Sequence, residues 1–202
     1  MAKKNEVTIP QPKIETVEIS IEGVTPLLME KMDPRVAEIY DKKKSKQVYE
    51  EDNRSEEEKV LDKIHYTPDG NIGFPSSGFL QGMLDVAPRI NGAKNAPYKT
   101  EIKQAVGFLD DVVPIDFKKQ DIHTTVGKTS GRTAAPRLII RPQFYGWKCK
   151  LRISYNSEII SLEQLINLIN WAGFHCGLGG FRRNRSGTFG QYKVSSNNGG
   201  KR

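Results

Sequence analysis

The stretch WKCKLRISYNSEIISLEQLINLINWAGFHCGLGGFRRNRSGTFGQYKVS, residues 147–195, carries the clearest structural pattern in the chain. Apolar and polar residues alternate in its first eight positions, which predicts a half-buried strand. Ser161 and Gln164 then have the spacing of a capping box, and leucines and isoleucines recur after them at helical spacing. A glycine-rich loop, residues 177–190, leads from this helix to a last strand. The order strand, helix, loop, strand is typical of one half of an antiparallel α+β domain.

The residues before this stretch predict the other half of the same domain. VEISIEG (17–23) alternates and predicts another half-buried strand. FPSSGFLQGMLDVA (74–87) predicts a strand end and then an amphipathic helix that serines begin and Pro88 ends. Residues 89–105 predict a loop. Further short strands are predicted in VGFLDDVVPIDF (106–117) and RLIIRPQF (137–144). Together these elements predict a ferredoxin-like α+β domain, an antiparallel sheet with helices on one face.

Chain length and local composition predict one domain with insertions. The chain has 202 residues, and we expect the domain to span residues 14–195, with a flexible arm over 1–13 and a flexible tail over 196–202. Residues 40–63 mix charges with few apolar residues, which predicts a solvated helix or a disordered insertion. Residues 121–137 are rich in Thr, Gly and basic residues, which predicts a disordered loop or a protruding hairpin.

Composition also narrows the location and the chemistry. We expect no secretory signal and no membrane association, because no apolar run reaches the roughly eighteen residues that a span needs. The expected location is therefore cytoplasmic. Cys149 and Cys176 have no metal-ligand spacing. We expect no metal site and no cofactor.

Charge is distributed very unevenly along the chain. Residues 123–202 contain thirteen Lys or Arg residues and two acidic ones, a net charge of +11, whereas residues 1–122 have a net charge of −4. A cationic region on a near-neutral body is expected of a protein that binds a polyanion such as nucleic acid. The alternative is a basic surface that only favours solubility.

The glycine-rich loop fits none of the common nucleotide-binding motifs. It has no lysine, which a P-loop requires, and it follows a helix and precedes a strand, the reverse of the dinucleotide-binding order. It is instead interpreted as a cradle for an extended polyanion. Small residues would let the main chain approach phosphates, arginines would contact phosphates in bidentate fashion, and a phenylalanine could stack on a base. The residues in these roles are Gly177, Gly179, Gly180, Phe181, Arg182, Arg183 and Arg185.

Several motifs, in this order, resemble those of the RAMP superfamily, the RNA-binding proteins of CRISPR systems. A glycine-rich loop between the last helix and the last strand of a ferredoxin-like domain is similar to the superfamily signature. FPSSGFLQGML (74–84) is similar to its I-P-x-S-S-x-x-G-x-L element. GVTPLLM (23–29) and RPQFYGWKCKLRISY (141–155) look like a branch of mostly phage-borne relatives, so the host is expected to be bacterial or phage-infected.

The resemblance implies that single-stranded nucleic acid, RNA or DNA, lies along the sheet and against the glycine-rich loop. It also implies a homo-oligomer along the strand, in which a hairpin reaches the nucleic acid of the neighbouring subunit. Residues 124–137 are the counterpart of that hairpin here. Beside the loop, the basic residues implied as contacts are Lys128, Arg132, Arg137, Lys148, Lys150 and Arg152.

Two other functions remain open from the sequence. Some RAMP proteins are endoribonucleases that use a histidine as general acid and base, and His175, two residues before the loop, is the candidate here. A histidine at a helix end also suits the helix dipole, and His65 is interpreted as a surface residue. The leading hypothesis is a non-catalytic binding protein. The alternatives are a metal-independent endoribonuclease using His175 and a structural subunit that contacts an acidic protein.

Overall fold

The computed structural model describes residues 10–32, 54–90, 98–128 and 136–195. The helices are α1 (Glu56–Leu61), α2 (Ser76–Ile90), α3 (Lys99–Ala105) and α4 (Leu162–His175). The strands are β1 (Ile14–Gly23), β2 (Leu27–Leu28), β3 (His65–Tyr66), β4 (Ile72–Pro75), β5 (Val106–Phe108), β6 (Val112–Asp116), β7 (Lys119–Lys128), β8 (Pro136–Tyr145), β9 (Lys148–Asn156) and β10 (Tyr192–Val194). The predicted arm before residue 10 and the predicted tail after residue 195 lie outside the described residues.

The main sheet has the strand order of a ferredoxin-like domain. Its order is β10-β1-β9-β6-β4-β3, and β5 also pairs with β9, farther along the same edge as β6. All of these pairs are antiparallel. If β5 and β6 are taken as one interrupted strand, the chain runs β1, α2, β5/β6, β9, α4, β10, which is the βαββαβ pattern. The predicted fold class is therefore confirmed.

The register of β1 against β9 explains why helices cover only one face of the main sheet. Ile19 lies opposite Leu151 and Ile21 opposite Cys149, and all four are buried. Successive side chains of a strand point to opposite faces, so the alternating glutamates, lysines and arginine of both strands lie on the other face. The buried face shares one core with Phe79 and Met83 of α2 and with Leu165 and Ile169 of α4.

A second, three-stranded sheet has the order β2-β8-β7. Strands β7 and β8 form a long hairpin, paired from Lys119 and Tyr145 to Lys128 and Pro136. The polar stretch 121–137 is thus a hairpin over its described residues, and the tip, 129–135, lies outside them. Strand β2 joins this sheet through Leu27 and Leu28, which the GVTPLLM motif supplies.

Two local predictions in the middle of the chain were wrong. Residues 99–105 form α3 rather than a loop: the Glu101 carboxylate accepts a hydrogen bond of 2.9 Å from the Tyr98 amide, and Ile102 and Ala105 are buried. Seven residues with two buried positions give too little periodicity to detect. Helix α2 also continues two residues past Pro88. A proline in the last turn removes one hydrogen bond, and the buried Val86 and Ala87 hold the helix in place.

The charged insertion, residues 40–63, was predicted to bury no apolar face. Its last part, which forms α1, does bury an apolar side chain. Ser55 caps α1, and Glu58 returns the hydrogen bond in a capping box, with an amide-to-carboxylate distance of 2.9 Å. Val60 is buried, and α1 packs against β8. One apolar residue in a capped helix of six is enough to dock it. Residues 40–53 of the insertion lie outside the described residues.

Candidate nucleic-acid interface

The glycine-rich loop is held against the segment that follows β1. The amide of Gly190 donates to the carbonyl of Pro26 at 2.8 Å, and the amide of Gly180 donates to the carbonyl of Leu28 at 2.9 Å. The amide of Gln191 donates to the Thr25 hydroxyl at 2.9 Å. Two motifs from opposite ends of the sequence, GVTPLLM and the loop, are therefore joined through main-chain hydrogen bonds.

The glycines allow this close packing of main chain on main chain. Gly179 has a φ of 72° and Gly190 a φ of 69°, the left-handed region that favours glycine. A Cβ on Gly179 would overlap the carbonyl oxygen of Leu28, and one on Gly190 would overlap the carbonyl oxygen of Leu178. Gly177 also has a positive φ, and a Cβ there would lie 3.0 Å from the carbonyl oxygen of Phe189. The atoms these glycines approach belong to the protein itself.

The loop amides are also used within the protein. The interpretation as a cradle supposed that successive amides point outward at an anion. Instead, many amides of the loop donate hydrogen bonds to main-chain carbonyls. The donating amides are those of Gly177, Leu178, Gly180, Asn184, Arg185, Ser186, Gly187, Phe189 and Gly190. The amides of Gly177 and Gly180 are therefore not available to a phosphate, because a donated amide hydrogen is already used. Positive charge at the loop must come from side chains.

The three arginines of the loop extend from an ordered turn. Arg183–Arg185 form a short 3-10 helix, which Ser186 ends with a φ of 59°. Arg182 donates through Nε to the side chain of Asn184 at 2.8 Å and through a terminal nitrogen to the carbonyl of Gly179 at 3.1 Å. Arg183 and Arg185 are exposed. Within the described ranges, none of the three guanidinium groups has a carboxylate at ion-pair distance.

A cleft of about 450 Å³ lies between the loop and the first half of α2. The loop contributes Arg182 and Asn184 to its lining, and the FPSSGFLQGML motif contributes Ser77 and Gln81. Asn184 donates to the carboxylate of Asp85 at 3.2 Å, which links the two walls. The two motifs on which the RAMP resemblance mainly depends therefore face each other across one cleft.

His65 also lines this cleft, although it was interpreted as a surface residue. It is half-buried, and its ring lies 6.2 Å from that of Phe74. Burial, and then the nearby charge of Lys31, lower the pKa of His65 below its ordinary value of 6.5. The imidazole is therefore neutral at neutral pH and adds no positive charge to the cleft.

Arg141 and Glu30, which pack against the loop and support it, were not identified from the sequence. Arg141 of β8 is only 7% exposed, and one of its terminal nitrogens donates to both carboxylate oxygens of Glu30 at 2.9 Å. Its guanidinium carbon lies 4.5 Å from the ring centroid of Phe181, which adopts a positive φ of 45°. Arginine is rarely buried without a partner, so Arg141 within an apolar strand was the available signal.

Phe181 was predicted to be available for stacking on a base, and the structure gives its ring another role. It is half-buried, covered by the guanidinium of Arg141, and its ring also contacts that of His123 at 6.2 Å. Phe189 contacts the same histidine at 5.0 Å. These contacts attach the β7–β8 hairpin to the loop. Phe181 therefore supports the loop, and its stacking on a base stays a prediction.

The open face of the main sheet is mixed in charge rather than uniformly basic. Lys150 forms an ion pair of 2.9 Å with Glu18, and Arg152 forms one with Asp110. The hydrogen bond from Arg152 lowers the pKa of the Asp110 carboxyl. Lys148 lies opposite Glu22 of β1. These basic residues remain predicted contacts, but much of their charge is already compensated.

The other predicted contacts lie on the hairpin. Lys128 pairs with Pro136 at the end of β7, and Arg137 pairs with Gly127 on β8. Arg132 falls outside the described residues. The structure thus places Lys128 and Arg137 on strands of the second sheet.

His175, the candidate for catalysis, ends α4 beside the loop and does not line the cleft. Its ring stacks on that of Trp171 with centroids 4.8 Å apart and contacts the ring of Phe174 edge-on at 5.0 Å. Its described neighbours are therefore aromatic. A general acid and base acts on a substrate proton within hydrogen-bond reach, and catalysis by His175 stays the alternative prediction.

Two further features of the described residues concern metal ions and membranes. No group of three or more His, Cys, Asp or Glu side chains there is arranged to hold a metal ion. None of the helices there combines the length and the apolar character needed to cross a membrane.

The sequence matches no protein-family model and no curated protein. In structure, the chain is similar to one in the cryo-EM structure of the type III-B Cmr-beta complex bound to cognate target RNA, with a TM-score of 0.55 and 14% identity over 91% of this chain. It spans 59% of that longer chain. It is also similar to the crystal structure of Cmr6 from Pyrococcus furiosus, with a TM-score of 0.41 and 10% identity over 90% of this chain and 98% of the other. The fold that the motifs predicted is thus confirmed: this chain has a ferredoxin-like fold, which it shares with the chain of the Cmr-beta complex.

Proposed function

We propose that this protein binds single-stranded nucleic acid, RNA or DNA, through the arginines of the glycine-rich loop and the cleft beside them. The observation that carries the proposal is the state of Arg182, Arg183 and Arg185. They stand within four positions on one ordered turn, and in the described part of the chain no carboxylate neutralises them. Arginines clustered on one ordered turn and without acidic partners suit the bidentate recognition of phosphates.

The size of the cleft favours a single strand. A volume of about 450 Å³ is in the range of sites for one small ligand. A site of this size suits the unpaired nucleotides of a single strand better than a duplex. The similarity in fold to a chain of an RNA-bound complex supports nucleic acid as the ligand class. Affinity would come largely from phosphate contacts and would fall steeply as salt increases.

Two further surfaces would contribute less. Lys148, Lys150 and Arg152 would lie along the strand on the open sheet face, with an effect reduced by their acidic neighbours. The hairpin, with Lys128, Arg132 and Arg137, would reach the strand held by the next copy of the protein.

The hairpin also has features expected of a contact between copies. Ile122, Val126 and Leu138 are exposed apolar residues of β7 and β8, and Val126 lies opposite Leu138 in the pairing. Exposed apolar patches often mark protein contacts. They support the proposal of a homo-oligomer along the strand.

Fluorescence anisotropy with an end-labelled 20-nucleotide RNA tests the proposed function. We expect the single strand to bind at least ~10-fold more tightly than the duplex of the same sequence and to be released as salt increases. The RNA should remain intact on a denaturing gel after hours without divalent metal. Failure to bind at low salt, or equal binding of RNA and heparin, would contradict the proposal. Metal-independent fragments that disappear in His175→Ala would establish the nuclease instead.

A further inference from the structure

An aromatic surface lies on α4 next to the arginines of the loop. Trp171 and Phe174 are 41% and 55% exposed, and with His175 they occupy one face of the last helical turns, at positions i, i+3 and i+4. We call Trp171, Phe174 and His175 the aromatic platform. Large aromatic side chains are normally placed where they bury area, so two that are half-exposed on neighbouring turns indicate a contact surface.

The core does not require these rings. Helix α4 packs on the domain through a different set of buried side chains, Leu165, Leu168, Ile169 and Ala172. The platform lies outside this stripe. Removing its rings should therefore leave the packing of the helix intact.

The rings of the platform are held by one another and by the loop. Trp171 and His175 stack with centroids 4.8 Å apart and planes inclined by 22°. The ring of Phe174 meets that of His175 edge-on at 5.0 Å, and the guanidinium carbon of Arg183 lies 4.4 Å from the Phe174 centroid. The side chain of Gln191 donates to the carbonyl of Phe174 at 3.4 Å. A surface ordered in this way loses little conformational freedom on binding.

The positive charge beside the platform indicates whether an apolar partner or a nucleic acid strand binds there. Arg183 belongs to both surfaces, because it contacts Phe174 and stands in the turn with Arg182 and Arg185. A neutral apolar partner would leave these cations without counter-charge. A nucleic acid strand matches both features at once, since its phosphates meet guanidinium groups while its bases meet aromatic rings.

We propose that unpaired bases stack on the aromatic platform while the adjacent phosphates contact Arg182, Arg183 and Arg185. This inference rests on the proposed function and adds where the bases lie. Stacking on aromatic side chains tolerates any base, because every base has a π-face. The platform would therefore strengthen binding to single strands without selecting a sequence.

Tryptophan fluorescence tests this directly, because the chain has two tryptophans and the other, Trp147, is fully buried. Titration of the full-length protein with a 12-nucleotide uridine RNA should quench Trp171 over the same concentration range in which anisotropy reports binding. Trp171→Phe should bind with little quenching. The double variant Trp171→Ala, Phe174→Ala should bind at least ~10-fold more weakly, with an unchanged salt dependence. Leu162→Ala, which removes an exposed apolar side chain at the start of the same helix, should bind normally.

An abasic strand of the same length tests phosphate binding by the arginines separately from base stacking on the platform. It should bind through the arginines, cause no quenching and be insensitive to the double variant. If the uridine strand binds with the expected salt dependence but without quenching, and the double variant keeps full affinity, the platform is wrong and the proposed function stands. If neither strand binds, both are wrong. If the double variant loses self-association by mass measurement and retains RNA affinity, the platform is a protein contact.

Discussion

Replacement of Arg182, Arg183 and Arg185 with alanine is expected to weaken binding of single-stranded RNA about 100-fold at 0.1 M salt. Each phosphate contact on a single strand contributes about 0.7 to the slope of log K against log salt, so three contacts correspond to a slope reduced by about 2. The fold should be retained, because the variant loses only two hydrogen bonds of Arg182 and the contact of Arg183 with Phe174, and no ion pair among the described residues. Anisotropy titrations at four or five salt concentrations measure both quantities.

A variant with the same loss of charge elsewhere is the matched control. Lys13, Lys99 and Lys103 are exposed and do not line the cleft. Their replacement with alanine removes three positive charges as well, and it should change affinity by about 3-fold or less and leave the slope unaltered. Equal losses in the two variants would show that net charge rather than the loop governs binding. An unchanged slope in the arginine variant would show that the loop is not the site.

Substitution of Gly179 with alanine is expected to destabilise the protein by about 3 kcal/mol, or roughly 10 °C in Tm. The added Cβ meets the carbonyl oxygen of Leu28, and the φ of 72° is strained for alanine. Gly70→Ala is the control, because Gly70 has a similar φ of 81° and nothing within 4 Å of an added Cβ. That variant should lose only about 1 kcal/mol. Thermal and urea unfolding of both proteins provide the comparison.

The same pair of variants shows whether Gly179 is needed for the packing of the loop or for the approach of a phosphate. Equal destabilisation of Gly179→Ala and Gly70→Ala would mean that only backbone strain matters at Gly179. Full stability of Gly179→Ala together with a loss of RNA affinity would instead restore the interpretation that the glycine makes room for a phosphate.

Local patterns predicted the central elements of the fold correctly. Strand β9 and helix α4 follow from alternation and from the Ser161–Gln164 capping box, in which the hydroxyl of Ser161 accepts from the Gln164 amide at 3.2 Å. Helix α3 could not be predicted in this way, because its stability depends on where Ile102 and Ala105 are buried. That burial is a property of the assembled core rather than of seven residues.

The site was predictable only where its chemistry is local in sequence. The arginines of the loop are neighbours in the chain, so their cluster was visible. Arg141 and Glu30 are 111 residues apart, and no spacing rule could pair them. The packing role of Gly179 was not predictable, because it depends on a main-chain oxygen, that of Leu28, which any residue type would have supplied. The aromatic platform was not predicted, because the helical periodicity of α4 indicates an apolar stripe but does not show which apolar residues at its edge remain exposed.

Photo-crosslinking tests the location of the bound strand most directly. A single-stranded RNA containing 4-thiouridine would be irradiated with the full-length protein, and the labelled peptides identified by mass spectrometry. Binding as proposed here requires the strongest labelling within residues 171–190, and its loss in the arginine triple variant. Labelling confined to β9, the hairpin or other surfaces, at concentrations where the RNA is fully bound, would contradict a site built on the glycine-rich loop.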